Sequence, residues 1–280
     1  MRTTMNRSEI SKTLLVAGAK SVSVVIPVFN QSHLTRRCLE SLFAHSLNLK
    51  EVFVVDNASK DDTYEVLLTF QGRPGPTLTL ISNTENKGFG RAVNQGLRLC
   101  TGDYLVVLNN DTWLMPGWDA ALIEGHFESG ADFIGPYFYE GPFEADLRAR
   151  AADFVARNRG HFRHHFVPIL MMMTREAFTK LRLDHGGLFD ERFFVTYEDT
   201  DLVERMTRLG LQYTQTGSCF IWHHSMATRS APGALPPGYE QEGLKLFFDK
   251  WKFDPRPRDH TLIARLRRRW WKIKENSGRF

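Results

Sequence analysis

The chain passes from apolar to polar in one step at Val106-Val107-Leu108-Asn109-Asn110-Asp111. An apolar run without alternation reads as a strand covered on both faces. A strand ending in Asp at its carboxyl end delivers that carboxylate to the crevice where open α/β sheets take up ligands. One carboxylate at such an edge suits a hard divalent cation, which is commonly held by one or two carboxylates together with substrate phosphates. The plainer alternative is a turn Asp, because Asn and Asp are common turn formers, and this stretch alone favours neither.

Two earlier segments tip the balance. Val22-Ser23-Val24-Val25-Ile26-Pro27-Val28-Phe29-Asn30 is a β-branched run closed by Pro and Asn, the pattern of a buried strand entering a loop. From about residue 33 to 47, Leu34, Cys38, Leu42 and Phe43 recur at helical spacing. Val52-Phe53-Val54-Val55-Asp56-Asn57 is again a buried strand ending in Asp, and Asp61 or Asp62 is placed to cap the next helix. Strand, helix, strand, helix, strand implies βαβ units, hence a mostly parallel central sheet with flanking helices and right-handed crossovers. Asp56 and Asp111 then face one crevice.

Further along, residues 71–76 form a loop rich in Gly and Pro, and 77–81 an alternating strand. A helix is expected after Gly90 through Ala92, Val93, Leu97 and Leu99, with Gly102 as its stop. Another helix is expected over 116–127 and a strand over 133–139. Leu202, Val203, Met206 and Leu209 set a helical pattern ended by Gly210. Residues 140–163 carry Arg148, Arg150, Arg157, Arg159 and Arg163 and match no single element.

A chain of 280 residues with 42% hydrophobic and 24% charged content fits one large α/β domain. The reading is an extension over 1–20, one domain over 21–255, and a basic amphipathic tail over 256–280. Cys38, Cys100 and Cys219 are odd in number and far apart, which excludes a disulfide framework or zinc spacing and points to a reducing compartment. No secretory signal is evident, and no run approaches the roughly 20 apolar residues of a membrane span. The net charge of +4 is concentrated in the middle and the tail, without a nucleic-acid motif. In the tail, Ile263, Leu266, Trp270 and Ile273 form one stripe among Arg and Lys, suited to an anionic membrane surface or to packing on the domain. The expected location is cytoplasmic, with peripheral contact at the inner face of the cell membrane.

These segments resemble the family-2 glycosyltransferases, which have the GT-A fold. The resemblance runs from about residue 22 to 228. It includes Val55-Asp56-Asn57-Ala58-Ser59, Asn86-Lys87-Gly88-Phe89-Gly90-Arg91-Ala92-Val93-Asn94, Asn109-Asn110-Asp111, Gly187-Leu188-Phe189-Asp190-Glu191 and Glu198-Asp199-Thr200-Asp201-Leu202. The wording is closest to bacterial rhamnosyltransferases that use dTDP-L-rhamnose. The resemblance implies an inverting transferase moving a sugar from a nucleoside-diphosphate donor, dTDP-rhamnose or a UDP-sugar, to a hydroxyl of a glycan or lipid-linked acceptor. The expected setting is polysaccharide or lipopolysaccharide synthesis at the bacterial cell envelope.

The resemblance also assigns roles. Asp111 touches Mg²⁺ or Mn²⁺, with Asn109 where the family's Asp-x-Asp motif has its first Asp. His223, rather than the adjacent His224, is the second metal or diphosphate contact. Pro27, Phe29, Asn30, Asp56 and Asn57 line the nucleotide pocket, with Asp56 on the base or ribose or else serving its turn. Gly88 shapes the donor loop, with Asn109 and Asn110 beside it. Arg91 meets the diphosphate or solvent, and Asn94 braces the loop. Gly187 and Leu188 face the acceptor, Asp199 is the general base, Glu198 orients the acceptor, and Asp201 is structural. Thr228 reaches the phosphates. Three acids within four residues exceed what helix capping requires. Competing classes are a metal-dependent nucleotidyltransferase, for which a pair of acids near the metal is expected, and a catalytically silent sugar-binding relative.

Overall fold

Alternate residues of Val22–Val28, strand β1, enter different cores: Val22, Val24, Ile26 and Val28 one, Val25 the other. Leu49–Asp56, β2, divides likewise, with Val52 and Val54 against Phe53 and Val55. Tyr104–Leu108, β4, repeats the pattern. Strands apolar on both faces demand helices on both, and the chain supplies them. Helices α1 (Ser32–His45), α2 (Thr63–Leu68) and α4 (Trp118–Ser129) cover one face. Helices α3 (Phe89–Leu97), α6 (Arg175–Leu181) and α7 (Glu198–Arg208) cover the other. The computed structural model describes residues 20–141, 143, 146–224 and 235–255. Thr228, the 256–280 tail and residues 1–19 of the extension lie outside the described residues.

The remaining strands are β3 (Thr77–Ser82), β5 (Thr112–Leu114), β6 (Phe133–Glu140), β7 (Phe162–Arg163), β8 (Leu170–Thr174) and β9 (Tyr213–His223). All nine join one sheet in the order β3-β2-β1-β4-β8-β6-β9-β5, with β7 also on β9. The expected α/β architecture holds, and the parallel arrangement is confined to the β3-β2-β1-β4 half and the β6–β9 pair. Direction reverses at β8, antiparallel to both β4 and β6, and β5 and β7 run antiparallel to β9. Leu170-Met171-Met172-Met173 is an unbroken buried run, and such a run looks the same in either strand direction.

Two boundaries differ from expectation. Helix α3 stops at Leu97 and Leu99 is 49% exposed. Gly102 does not cap it but lies in the turn into β4, where its carbonyl accepts from Arg175 and its N–H donates to Ser23 Oγ. Leu209, expected among the apolar positions of α7, is 56% exposed just past that helix. The unassigned arginine-rich segment forms helix α5 (Leu147–Asn158) and β7. Two of its arginines lie over aromatic rings, Arg150 on Tyr139 and Arg163 on Tyr137, a cation–π arrangement. A further helix, α8 (Tyr239–Trp251), docks on the start of α7. The three cysteines are free and buried, and burial pushes the Cys38 and Cys100 thiols up to about 12. Among the described residues no helix is long and apolar enough to cross a membrane.

Candidate active site

The carboxyl ends of β1, β2, β3 and β4 share one edge of the sheet, because these strands are parallel and in register. Asp56 ends β2 and Asp111 follows β4 by three residues, so both carboxylates come to that edge. Among the described residues, four of the five non-glycine residues with positive φ, Asn30, Gln31, Ala58 and Tyr197, lie in the loops here or at the start of α7. Backbone held in the left-handed region costs free energy and tends to cluster where geometry matters for function.

Several expected donor contacts are occupied within the protein. Asp56 Oδ1 accepts from Ser59 N and Ser59 Oγ, the turn role that was its alternative. Asn30 N donates to Ser59 Oγ, and its side-chain oxygen accepts from Lys60 N. Asn57 Nδ2 donates to Gly88 O, while its oxygen accepts from Asn83 Nδ2 at 2.9 Å. Asn83 and Gln95 exchange a reciprocal pair of amide hydrogen bonds at 2.9 Å. This amide chain joins β2, β3 and α3 beneath the Gly88 turn. Asn83 and Gln95 were not foreseen, although Asn83 directly follows β3 at the shared edge. Pro27, at the end of β1, and Phe29 are half-buried there. Asn110 Nδ2 turns inward to Thr35 Oγ1 at 2.9 Å.

Gly88, at φ 82°, meets the backbone of Phe194, where a Cβ would collide with the Phe194 carbonyl. Phe89 N donates to that same carbonyl at 3.0 Å. The loop preceding α7 is thereby fastened over the Gly88 turn, and Asp199 follows Phe194 by five residues. Arg91, exposed, donates from Nε to Glu191 O. Asn94 is fully buried, accepting from Leu188 N and Phe189 N and donating to Phe189 O, so it braces the 187–189 segment rather than the Gly88 loop expected. Gly187 and Leu188, expected on the acceptor side, are both buried. The space beside Gly187 is filled by the Asn94 amide, and the Leu188 side chain is 0% exposed in the core, so both residues shape the loop from inside.

At the start of α7, Glu198 is buried and Asp199 half-buried. Asp199 Oδ1 accepts from Thr200 N at 2.7 Å. Asp201 is 0% exposed and structural, as expected, though through a network rather than the helix dipole alone. It binds Arg205 Nε at 2.9 Å, Lys250 Nζ at 2.6 Å and Trp251 Nε1 at 2.8 Å. Lys250 also reaches Asp190 at 2.8 Å. Burial alone would raise the Asp190 pKa, but hydrogen bonds from Arg192 and Lys250 hold it well below the usual carboxylate range.

The other end of the site is built by β9. His223 Nε2 lies 3.3 Å from Asp111 Oδ1, and His223 Nδ1 lies 2.8 Å from Glu140 Oε1. Asp111 Oδ1 is buried and takes no hydrogen bond, as is Asn109 Oδ1. Burial disfavours a charged His223, but the Asp111 and Glu140 carboxylates outweigh it and raise its pKa above 6.5. His224, the first residue after β9, is exposed and packs its ring against Trp222 rather than beside His223. Among the described residues no group of three or more His, Cys, Asp or Glu side chains is arranged around a metal position.

Residues 23–186 match Glycosyl transferase family 2, more than half of the chain, and the protein belongs to that family. Chondroitin synthase of Escherichia coli is 38% identical over 95 residues, covering 34% of this chain and 14% of that protein. The glycosyltransferase GlyG of Streptococcus pneumoniae is 22% identical over 188 residues, 61% of this chain and 62% of that one. A mannosyltransferase from Pyrobaculum calidifontis, solved in complex with GDP-Man and Mn²⁺, has a TM-score of 0.57 at 21% identity, covering 85% of this chain and 66% of its own. The chain thus has the GT-A fold and spans less than two thirds of each of these relatives. The family match ends before α7 and β9, so Glu198, Asp199 and His223 lie beyond it.

Proposed function

We propose that the protein transfers a sugar from a nucleoside-diphosphate donor to an acceptor hydroxyl in one displacement, inverting the anomeric carbon. The observation that carries this reading is the Asp111–His223 pair: a buried carboxylate oxygen without a hydrogen-bond donor, 3.3 Å from an imidazole nitrogen. Two such groups fit a divalent cation, whose remaining positions the donor's diphosphate and water would fill. Mg²⁺ or Mn²⁺ held there would supply Lewis-acid stabilisation of the departing diphosphate. The Gly88 turn opens α3, and the amino end of a helix favours an anion. Asp199 takes the proton from the acceptor hydroxyl as it attacks, and no carboxylate nucleophile is needed, unlike a retaining hydrolase.

For the donor, the motif wording favours dTDP-L-rhamnose over a UDP-sugar. For the acceptor, a glycan or lipid-linked glycan at the cell envelope fits the same resemblance. The deciding experiment is a thermal-shift screen of dTDP-, UDP- and GDP-sugars with Mg²⁺ or Mn²⁺, since a donor that binds the native state raises its melting temperature. Release of the nucleoside diphosphate is then followed with glycan and lipid-linked acceptors. Stabilisation by dTDP-rhamnose above the others supports the proposal, whereas no release of nucleoside diphosphate from any donor, together with release of pyrophosphate from a nucleoside triphosphate and a sugar 1-phosphate, would make the protein a nucleotidyltransferase.

A further inference from the structure

We propose that Glu140 is a positioning residue that fixes the tautomer and orientation of His223, presenting Nε2 toward Asp111. The proposal rests on the reading that Asp111 and His223 hold a divalent cation. The arrangement is made by strand register. His223 ends β9, paired with Glu140 of β6 on one side and with Thr112 of β5, next to Asp111, on the other. Three adjacent strands therefore bring Glu140, His223 and Asp111 side by side. The register is not continuous: Pro136 pairs with Thr216, but Tyr137 pairs with Phe220. Without that irregularity Tyr137 would face Gly217 and Glu140 would face Phe220, three residues short of His223. Gly217 lies within the irregularity, pressed so closely on Asn158 that a Cβ would collide with its carbonyl.

The chemistry follows from what each atom can do. An ionised carboxylate only accepts hydrogen bonds, so with Glu140 Oε1 at 2.8 Å the proton sits on His223 Nδ1. In the neutral ring Nε2 then carries a lone pair and lies 3.3 Å from Asp111 Oδ1, which takes no hydrogen bond. Two acceptors then lie side by side in a buried place, an arrangement that a cation bound to both completes. Phe138, two residues before Glu140 and so on the same face of β6, holds the ring edgewise at 6.3 Å between centroids. A carboxylate on the far nitrogen of a ligating histidine orients the ring and raises its basicity. Glu140 is 44% exposed at the rim, so its replacement leaves the core intact.

The test compares Glu140→Gln, which keeps an acceptor but no charge, with Glu140→Leu, which keeps neither. Mn²⁺ alone is titrated into each at pH 8 and free Mn²⁺ is read by electron paramagnetic resonance. Glu140→Leu is expected to bind Mn²⁺ about 10–100-fold more weakly, and Glu140→Gln to stay within a few-fold of the unmodified protein. In ¹⁵N-histidine-labelled protein, the signal lost in His223→Asn should report a proton on Nδ1 in the unmodified protein and Glu140→Gln, and lose that preference in Glu140→Leu. Equal affinity in all three, equal loss in both variants, or a proton on Nε2 from the outset overturns the proposal while the Asp111 metal reading stands. Absence of Mn²⁺ binding to the unmodified protein, or binding unchanged in Asp111→Asn, overturns both.

Discussion

Asp199 and Asp201 lie two positions apart on α7, yet their surroundings differ completely. Asp201 is enclosed by Arg205, Lys250 and Trp251, while Asp199 is half-buried, with one oxygen on the adjacent Thr200 N–H. A carboxylate locked by cations is a poor proton acceptor, so Asp199 suits the general base better. Asp199→Asn keeps shape and removes basicity. Transfer is expected to fall about 10²–10⁴-fold, with nucleotide-sugar affinity unchanged by calorimetry. Near-normal turnover would remove Asp199 from that role.

At the level of elements, two contacts hold the site's halves together. The first is the Gly88–Phe194 backbone contact between the donor-side turn and the loop before α7. Gly88→Val introduces a collision at a φ of 82°. It should cost about 1–3 kcal/mol of stability and weaken nucleotide binding, while the matching change at Gly130, exposed and with open space around it, should leave binding unaltered. The second is the docking of α8 on α7 through Lys250, Asp190 and Asp201. Lys250→Met removes one partner of a mostly buried charge cluster and should cost about 3 kcal/mol at neutral pH. The folded-state pKa of Asp190 is depressed below 3.8, so its ionised form stabilises the fold above that value and the contribution is lost as pH falls below it. The gap in melting temperature between unmodified and Lys250→Met protein should therefore be widest near neutral pH and narrow below about pH 4. A gap that widened on acidification would contradict this coupling.

For the molecule as a whole, two apolar cores flank the sheet and a third, smaller cluster holds Trp222 beside His223; all three are packed from apolar side chains without Asp111 or His223. Metal removal should therefore leave the fold intact and affect ligand linkage alone. Treatment with EDTA is expected to preserve the circular dichroism spectrum and leave the ligand-free melting temperature within a degree or so, while abolishing the rise produced by a nucleotide sugar. Collapse of the fold on chelation would mean a structural ion, which the apolar packing around the sheet does not call for.

Much of this was legible in the chain itself. β1, β2 and β4 announced themselves because a strand buried on both faces must be apolar at nearly every position, and their ends at Asp56 and Asp111 followed. Strand alternation made it readable that only one of His223 and His224 could face Asp111; the family resemblance, not the alternation, pointed to His223. Strand direction past β4 was not readable, because Leu170–Met173 is equally apolar whichever way it runs. Nor was Glu140 beside His223, since that pairing depends on a register irregularity between Thr216 and Phe220 of β9, far along the chain from β6, or the inward packing of Gly187 and Leu188, set by a buried amide from a distant helix. Local patterning reports which faces are buried; which side chains meet across strands and helices is decided only when the sheet closes its register.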